Sequence, residues 1–238
     1  VIYRPRGTAG DAQPRPVVEQ IYAGPHGFHV PVGFAVSHGQ QKFTDEGFVL
    51  VRIDGMGTNW RGKAFHDVCW KNLRDAGFPD RVAWLKAAAA ERPWMDLERV
   101  GIFGGSAGGQ NALRGLLDFP EIYTVGVADC GCHDNRMDKI WWNELWMGWP
   151  VDEAYERSSN VVDAHTLQSE LMLIVGELDR NVDPSSTLQV SAALVKAGKD
   201  HELVVIPGAG HGAAETPYGS MKRLSFLKRH LQPEPLDD

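Results

Sequence analysis

The chain has 238 residues, of which 23% are charged and 43% hydrophobic, and a formal net charge of −7. That length buries one sizeable α/β core, and an acidic balance with no basic cluster argues against a nucleic-acid surface. No apolar run approaches the ~18 residues needed to cross a bilayer, and no signal-like segment stands at Val1, which leaves the compartment open between cytoplasm and periplasm.

Residues 1–15 read as a linker-like segment, because Arg4-Pro5-Arg6-Gly7 and Gln13-Pro14-Arg15-Pro16 are polar and proline-rich. From residue 16 to 238 short apolar runs alternate with helical patterns, the signature of a mostly parallel sheet covered on both faces. The first predicted strand, Val17–Ala23, runs into I-Y-A-G-P (21–25). The second, Phe48–Asp54, runs into D-G-M-G-T (54–58), and a helix follows over Asp80–Glu91. Val100–Phe103, Val125–Ala128, Leu171–Val175 and Leu203–Ile206 complete the strands. Their continuous Val- and Ile-rich runs suit strands buried on both sides. Helices are predicted over Ala107–Leu117, Ser185–Lys196 and Met221–Leu231.

Two segments break this rhythm. Cys130-Gly131-Cys132-His133 invites a metal reading, but no second ligand pair stands at zinc-like spacing. The three cysteines are an odd number, so they read as free, mostly buried thiols, with no metal and no cofactor expected. Residues 141–149 hold four of the eight tryptophans. Trp142 and Trp146 are four apart and share one helical face, which fits either a helix capping the core or the aromatic wall of a ligand pocket.

Between strand Val100–Phe103 and helix Ala107–Leu117 stands Gly104-Gly105-Ser106-Ala107-Gly108. Ser106 occupies the place of the second glycine of a dinucleotide fingerprint, and there is no lysine for a phosphate-binding loop. The cluster does satisfy G-x-S-x-G, whose sharp strand-to-helix turn lifts a serine hydroxyl above the sheet edge. A serine nucleophile needs a base, and the base an orienting acid. Asp179 follows strand Leu171–Val175 and His211 follows strand Leu203–Ile206, in the order serine, acid, histidine. Asp183 and Glu177 are reserve acids; His201 and His230 are poorer bases, one preceding its strand and the other late in the last helix.

With I-Y-A-G-P, D-G-M-G-T, G-G-S-A-G-G (104–109), W-M-G-W-P (146–150), G-E-L-D-R-N-V-D-P (176–184) and G-A-G-H-G (208–212), the chain resembles the catalytic domain of the prolyl oligopeptidase and dipeptidyl peptidase family of serine peptidases, from about Pro16 to Leu231. The resemblance implies an α/β-hydrolase fold with Ser106 as nucleophile, His211 as general base and Asp179 as its orienting acid. By position it also implies an oxyanion hole from the Tyr22 hydroxyl and the Ala107 backbone N–H. Asn181 is implied to bond a substrate carbonyl, and Val182 with the segment around Trp142 to wall a small apolar pocket for proline or alanine.

Two departures qualify it. Family members usually carry a β-propeller, and fewer than twenty residues precede the first predicted strand here. None is therefore expected in this chain, whether an upstream propeller lies outside it or the hydrolase stands alone with an open site. Many members also have an aromatic residue after the nucleophile, where this chain has the smaller Ala107. Both departures favour a carboxylesterase as the alternative to a peptidase, with an inactive binding module a more distant reading. The expected partner is a small peptide or ester substrate, with room for a homo-oligomer and no nucleic-acid or membrane partner.

Overall fold

The computed structural model describes residues 1–233, apart from residues 9, 11, 35, 37 and 138. Its strands are β1 (Ile2–Tyr3), β2 (Arg15–Gln20), β3 (Val49–Val51), β4 (Met95–Gly105), β5 (Val125–Asp129), β6 (Glu170–Gly176) and β7 (Glu202–Ile206). The α-helices are α1 (His38–Thr44), α2 (Lys63–His66), α3 (Phe78–Ala90), α4 (Ala107–Asp118), α5 (Ile140–Met147), α6 (Glu153–Arg157), α7 (Asn160–Asp163), α8 (Pro184–Lys196) and α9 (Pro217–Leu231).

The strands form one sheet in the order β1-β3-β2-β4-β5-β6-β7, parallel throughout except for antiparallel β1 at the edge. Side chains alternate across a strand, so each buried run serves two cores. Val17, Val49, Val51, Leu171 and Leu173 pack with Phe78 and Leu85 of α3, Leu113 and Leu116 of α4 and Val190 and Leu194 of α8. Val18, Leu50, Met172 and Ile174 point the other way, onto Phe43 of α1 and Phe226, Leu227 and Leu231 of α9. Burial on both faces explains why these strands read as continuous apolar runs.

Each predicted strand and helix is present, with shifted ends. β2 stops at Gln20, so Ile21–Ala23 belong to the loop beyond the sheet. β4 begins five residues before its predicted start, because Met95 and Asp96 already pair with Arg15 and Pro16, ahead of a register shift after which the ladder resumes at Val100. Ile2–Tyr3, inside the segment read as a linker, pair with Val51 and Leu50 and extend the sheet by one edge strand. A two-residue strand carries no periodicity, which is why it was invisible in the sequence.

Nine-tenths-buried charges are paired across layers. Arg81 of α3 bonds Glu19 of β2, with both side chains fully buried, and the Tyr123 hydroxyl donates to the same carboxylate at 2.7 Å. Arg114 of α4 bonds Asp163 of α7 at 2.6 Å and the Asn160 side-chain oxygen at 2.9 Å. These bonds fix the helices that carry the loops above the sheet.

Candidate active site

The C-terminal ends of β4, β5, β6 and β7 lie side by side, so the loops that follow them meet above one edge. Ser106 is the hinge between β4 and α4, with φ 59° and ψ −124°. A non-glycine residue at positive φ is costly and persists where the surroundings hold it. Two glycines permit that turn. A Cβ on Gly104 would stand 2.5 Å from the carbonyl oxygens of Gly108 and Ile21, and one on Gly108 2.5 Å from that of Ile21. The Ser106 N–H donates to the Asp129 carbonyl at 2.9 Å, tying the hinge to the end of β5.

His211 follows β7, and its Nδ1 lies 2.8 Å from Oδ2 of Asp179, which follows β6. The acid's side chain is fully buried, whereas 26% of the imidazole faces solvent. A carboxylate accepts, so Nδ1 carries the proton and Nε2 keeps its lone pair. The other oxygen of Asp179 accepts from the backbone N–H groups of Asn181 at 2.8 Å and Val182 at 3.0 Å. One carboxylate thus orients the histidine and shapes its own loop. The reserve groups are occupied elsewhere: Asp183 caps α8 through the Ser185 N–H, Glu177 accepts from the Gly208 N–H, and His201 pairs with Ser191.

Tyr22 lines the same cleft as Ser106. Burial raises its phenol above the ordinary value, against the opposing effect of the Ser106 side chain, so Tyr22 stays protonated. The loop is pinned from both sides. The Ile21 N–H donates to Phe103 at 2.9 Å and the Ala23 N–H to the Asn111 side chain at 3.0 Å. The His29 ring packs 4.6 Å from the Tyr22 ring, and Asp54 of D-G-M-G-T holds the His29 and Val30 N–H groups.

Beside Ser106 opens a cleft of about 420 Å³, lined by Tyr22, His26, Ala107, Cys132, Lys139, Trp141, Trp142, Leu145, Trp146, Asn181 and Val182. The tryptophan-rich segment forms α5, and both earlier readings of it apply in part: Trp142 and Trp146 wall the cleft, while Met147 is buried. A buried amide chain holds α5 in place. Gln110 donates to Asn135, Asn135 to Asn143, both at 2.7 Å, and Asn143 to the Met137 carbonyl at 2.8 Å.

Three neighbours of the site carried no functional signal in the sequence. His26 faces Trp142 at a ring distance of 5.4 Å, and burial followed by the adjacent His29 lowers its pKa. Lys139 donates to the Asn181 carbonyl. Asp129, at the end of β5, is buried behind the hinge, and its carboxyl is pushed up to about 6. Only the positions of His26, four residues past Tyr22, and of Asp129, at a strand end, could have drawn attention to them. The three thiols are free and buried, as the sequence implied. The Cys130–His133 run disperses: Cys130 turns to His211, Cys132 to the cleft, and His133 is buried with its Nδ1 3.1 Å from the Asn160 amide.

A parallel sheet with helices on both faces and a serine on a strained turn at its edge define an α/β-hydrolase. A family model described as the prolyl oligopeptidase family matches residues 34–234, and the chain belongs to that family. Dipeptidyl peptidase 8 of Mus musculus is 30% identical over 186 residues, 76% of this chain and 21% of that protein. Prolyl endopeptidase FAP of Mus musculus is 27% identical over 83% of this chain and 26% of its own length. The crystal structure of Porphyromonas gingivalis dipeptidyl peptidase 4 superposes with a TM-score of 0.88 at 25% identity, over 97% of this chain and 33% of that one. The chain thus spans about a fifth to a quarter of the length of these curated relatives.

Proposed function

We propose that this chain is a serine hydrolase that cleaves peptide or amide bonds through an acyl-enzyme. The observation that carries the proposal is the 2.8 Å bond between His211 and buried Asp179, at the same sheet edge as a serine held at positive φ. In this reading Nε2 of His211 takes the Ser106 proton as the hydroxyl attacks the carbonyl, and Asp179 stabilises the imidazolium that forms. The resulting oxyanion is received by the Tyr22 hydroxyl and the Ala107 N–H, donors fixed before the charge develops. His211 then protonates the leaving amine, and water releases the acyl group by the same steps in reverse roles.

The names of the relatives support a dipeptidyl- or prolyl-type specificity, and the cleft agrees with it. Val182, Trp142 and Tyr22 offer apolar walls for a small or proline-type side chain, and Asn181 stands at the rim for an upstream carbonyl. We assign the catalytic unit to residues 16–238, with the leading segment attached through β1. The second reading, a carboxylesterase, is favoured by the space beside Ala107 and by the open cleft.

A fluorophosphonate probe, followed by a panel of dipeptide amides and short acyl esters, tests this. The expected results are labelling at Ser106, loss of labelling and turnover in Ser106→Ala, and amide cleavage by the native chain. Labelling that survives Ser106→Ala removes the nucleophile. Ester turnover without detectable amide turnover selects the esterase.

A further inference from the structure

Cys130 has no part in the chemistry above, yet its Sγ lies 4.0 Å from Nε2 of His211, and the thiol, the imidazole and the Asp179 carboxylate place ligand atoms within 4.8 Å of one another. Thiolate and imidazole are the donors that zinc prefers, at about 2.3 Å for sulfur and about 2.0 Å for nitrogen. A tetrahedral angle between such donors requires them to be about 3.6 Å apart, so closing a gap of a few tenths of an ångström seats the ion. The Asp179 carboxylate on Nδ1 supplies what a zinc-binding histidine ordinarily has, an outer carboxylate that fixes tautomer and ring orientation.

Another thiol–imidazole pair among the described residues shows why this one differs. Cys69 Sγ also stands 4.0 Å from Nε2 of His66, but that nitrogen is 2.9 Å from the Pro25 carbonyl. A nitrogen facing a carbonyl must carry the hydrogen, so it has no lone pair for a metal. At His211 the hydrogen is on the opposite nitrogen, facing Asp179, and Nε2 keeps its lone pair 4.0 Å from the Cys130 sulfur.

We propose that Cys130 and His211 form an inhibitory site for a thiophilic divalent cation of the zinc class. The ion displaces the thiol proton to solvent, binds the Cys130 sulfur and Nε2, and fills its remaining positions with water. No oxidation state changes. The inhibitory consequence rests on the reading of His211 as the general base, because the bound ion occupies the lone pair that would accept the serine proton. The partly exposed imidazole gives the cation its approach from solvent.

The test separates binding from activity. The chain is titrated with Co²⁺, whose thiolate complexes absorb in the near ultraviolet, and fluorophosphonate labelling is measured in buffered Zn²⁺. One equivalent of Co²⁺ should give a thiolate band that Zn²⁺ abolishes. The band should be lost in Cys130→Ala and in the size-conserving Cys130→Ser, and kept in Cys69→Ala. Zn²⁺ should suppress labelling of the native chain, and Cys130→Ala should require at least tenfold more. Absence of the band, its survival in both Cys130 variants, or equal zinc sensitivity of native chain and Cys130→Ala overturns the site. A Cys130-dependent band on a chain that neither labels nor turns over would sustain the metal site and reject the hydrolase.

Discussion

Replacing Asp129 by asparagine should stabilise the protein at neutral pH while weakening its chemistry. Burial is the largest influence on this carboxyl, and it outweighs the Ala214 backbone, the Arg223 guanidinium, Cys130 and His211, which all favour the charge. The net result is a rise from the ordinary 3.8 to about 6, equivalent to about 3 kcal/mol. Because the folded value lies above the unfolded one, the native state holds the proton more tightly. The stability this provides is complete below pH 3.8 and is lost as pH rises through about 6. Roughly half of the 3 kcal/mol is lost between pH 5 and pH 8. Asparagine is neutral throughout, so urea unfolding of native chain and Asp129→Asn at pH 5, 6, 7 and 8 should give stabilities that diverge in favour of the variant. The gap should widen by about 1.4 kcal/mol across that range. Parallel curves would refute the reasoning, since they would mean that Asp129 titrates alike in folded and unfolded chains. In the same variant kcat should fall at pH 8, because one of the two anions acting on the His211 imidazolium is gone.

Asp179→Asn should lower kcat at least about a hundredfold, because the imidazole loses its orienting acceptor, whereas Asp183→Asn should cost far less; steady-state kinetics on a dipeptide amide check the ranking, and the reverse order moves the acid to Asp183. Tyr22→Phe should lower kcat by ~10²-fold, about 2.7 kcal/mol, with KM near its native value, as for one lost oxyanion donor; a change confined to KM would place Tyr22 in ground-state binding. Asn181→Ala should reduce kcat/KM for a dipeptide amide by roughly five- to thirtyfold, the value of one neutral hydrogen bond, and leave a short acyl ester nearly unchanged. Equal losses on both substrates would mean that Asn181 merely braces the Asp179 loop. Asn143→Ala removes the link between Asn135 and Met137 and should loosen α5, which raises KM for the dipeptide amide more than it lowers kcat; an unchanged KM would show that the amide chain does not position the cleft wall.

The sequence by itself determined what depends on neighbours along the chain. A parallel strand buried on both faces must be a continuous apolar run, so β4, β5 and β6 were readable, and edge strand β7 reads the same way although Leu203 and Val205 face solvent; the loops after these strands exposed Ser106, Asp179 and His211 as an ordered set. The glycines around Ser106 were readable for the same local reason, since Gly104, Gly108 and Gly109 let backbone carbonyls approach to where a Cβ would stand. The tryptophans of α5 were legible as a helical face but left open between core and cleft, because a helix pattern says which side chains share a face and not what that face meets. Tertiary structure decided that, by suspending α5 from Gln110 and Asn135. It also decided the fate of the Cys130–His133 run. Spacing along the chain could not show what stands beside Cys130, because His211 lies 81 residues away on another strand's loop. Asp129 was hidden for a related reason: its proton affinity is set by burial and by Arg223 and His211, which reach it through the fold and not through the chain.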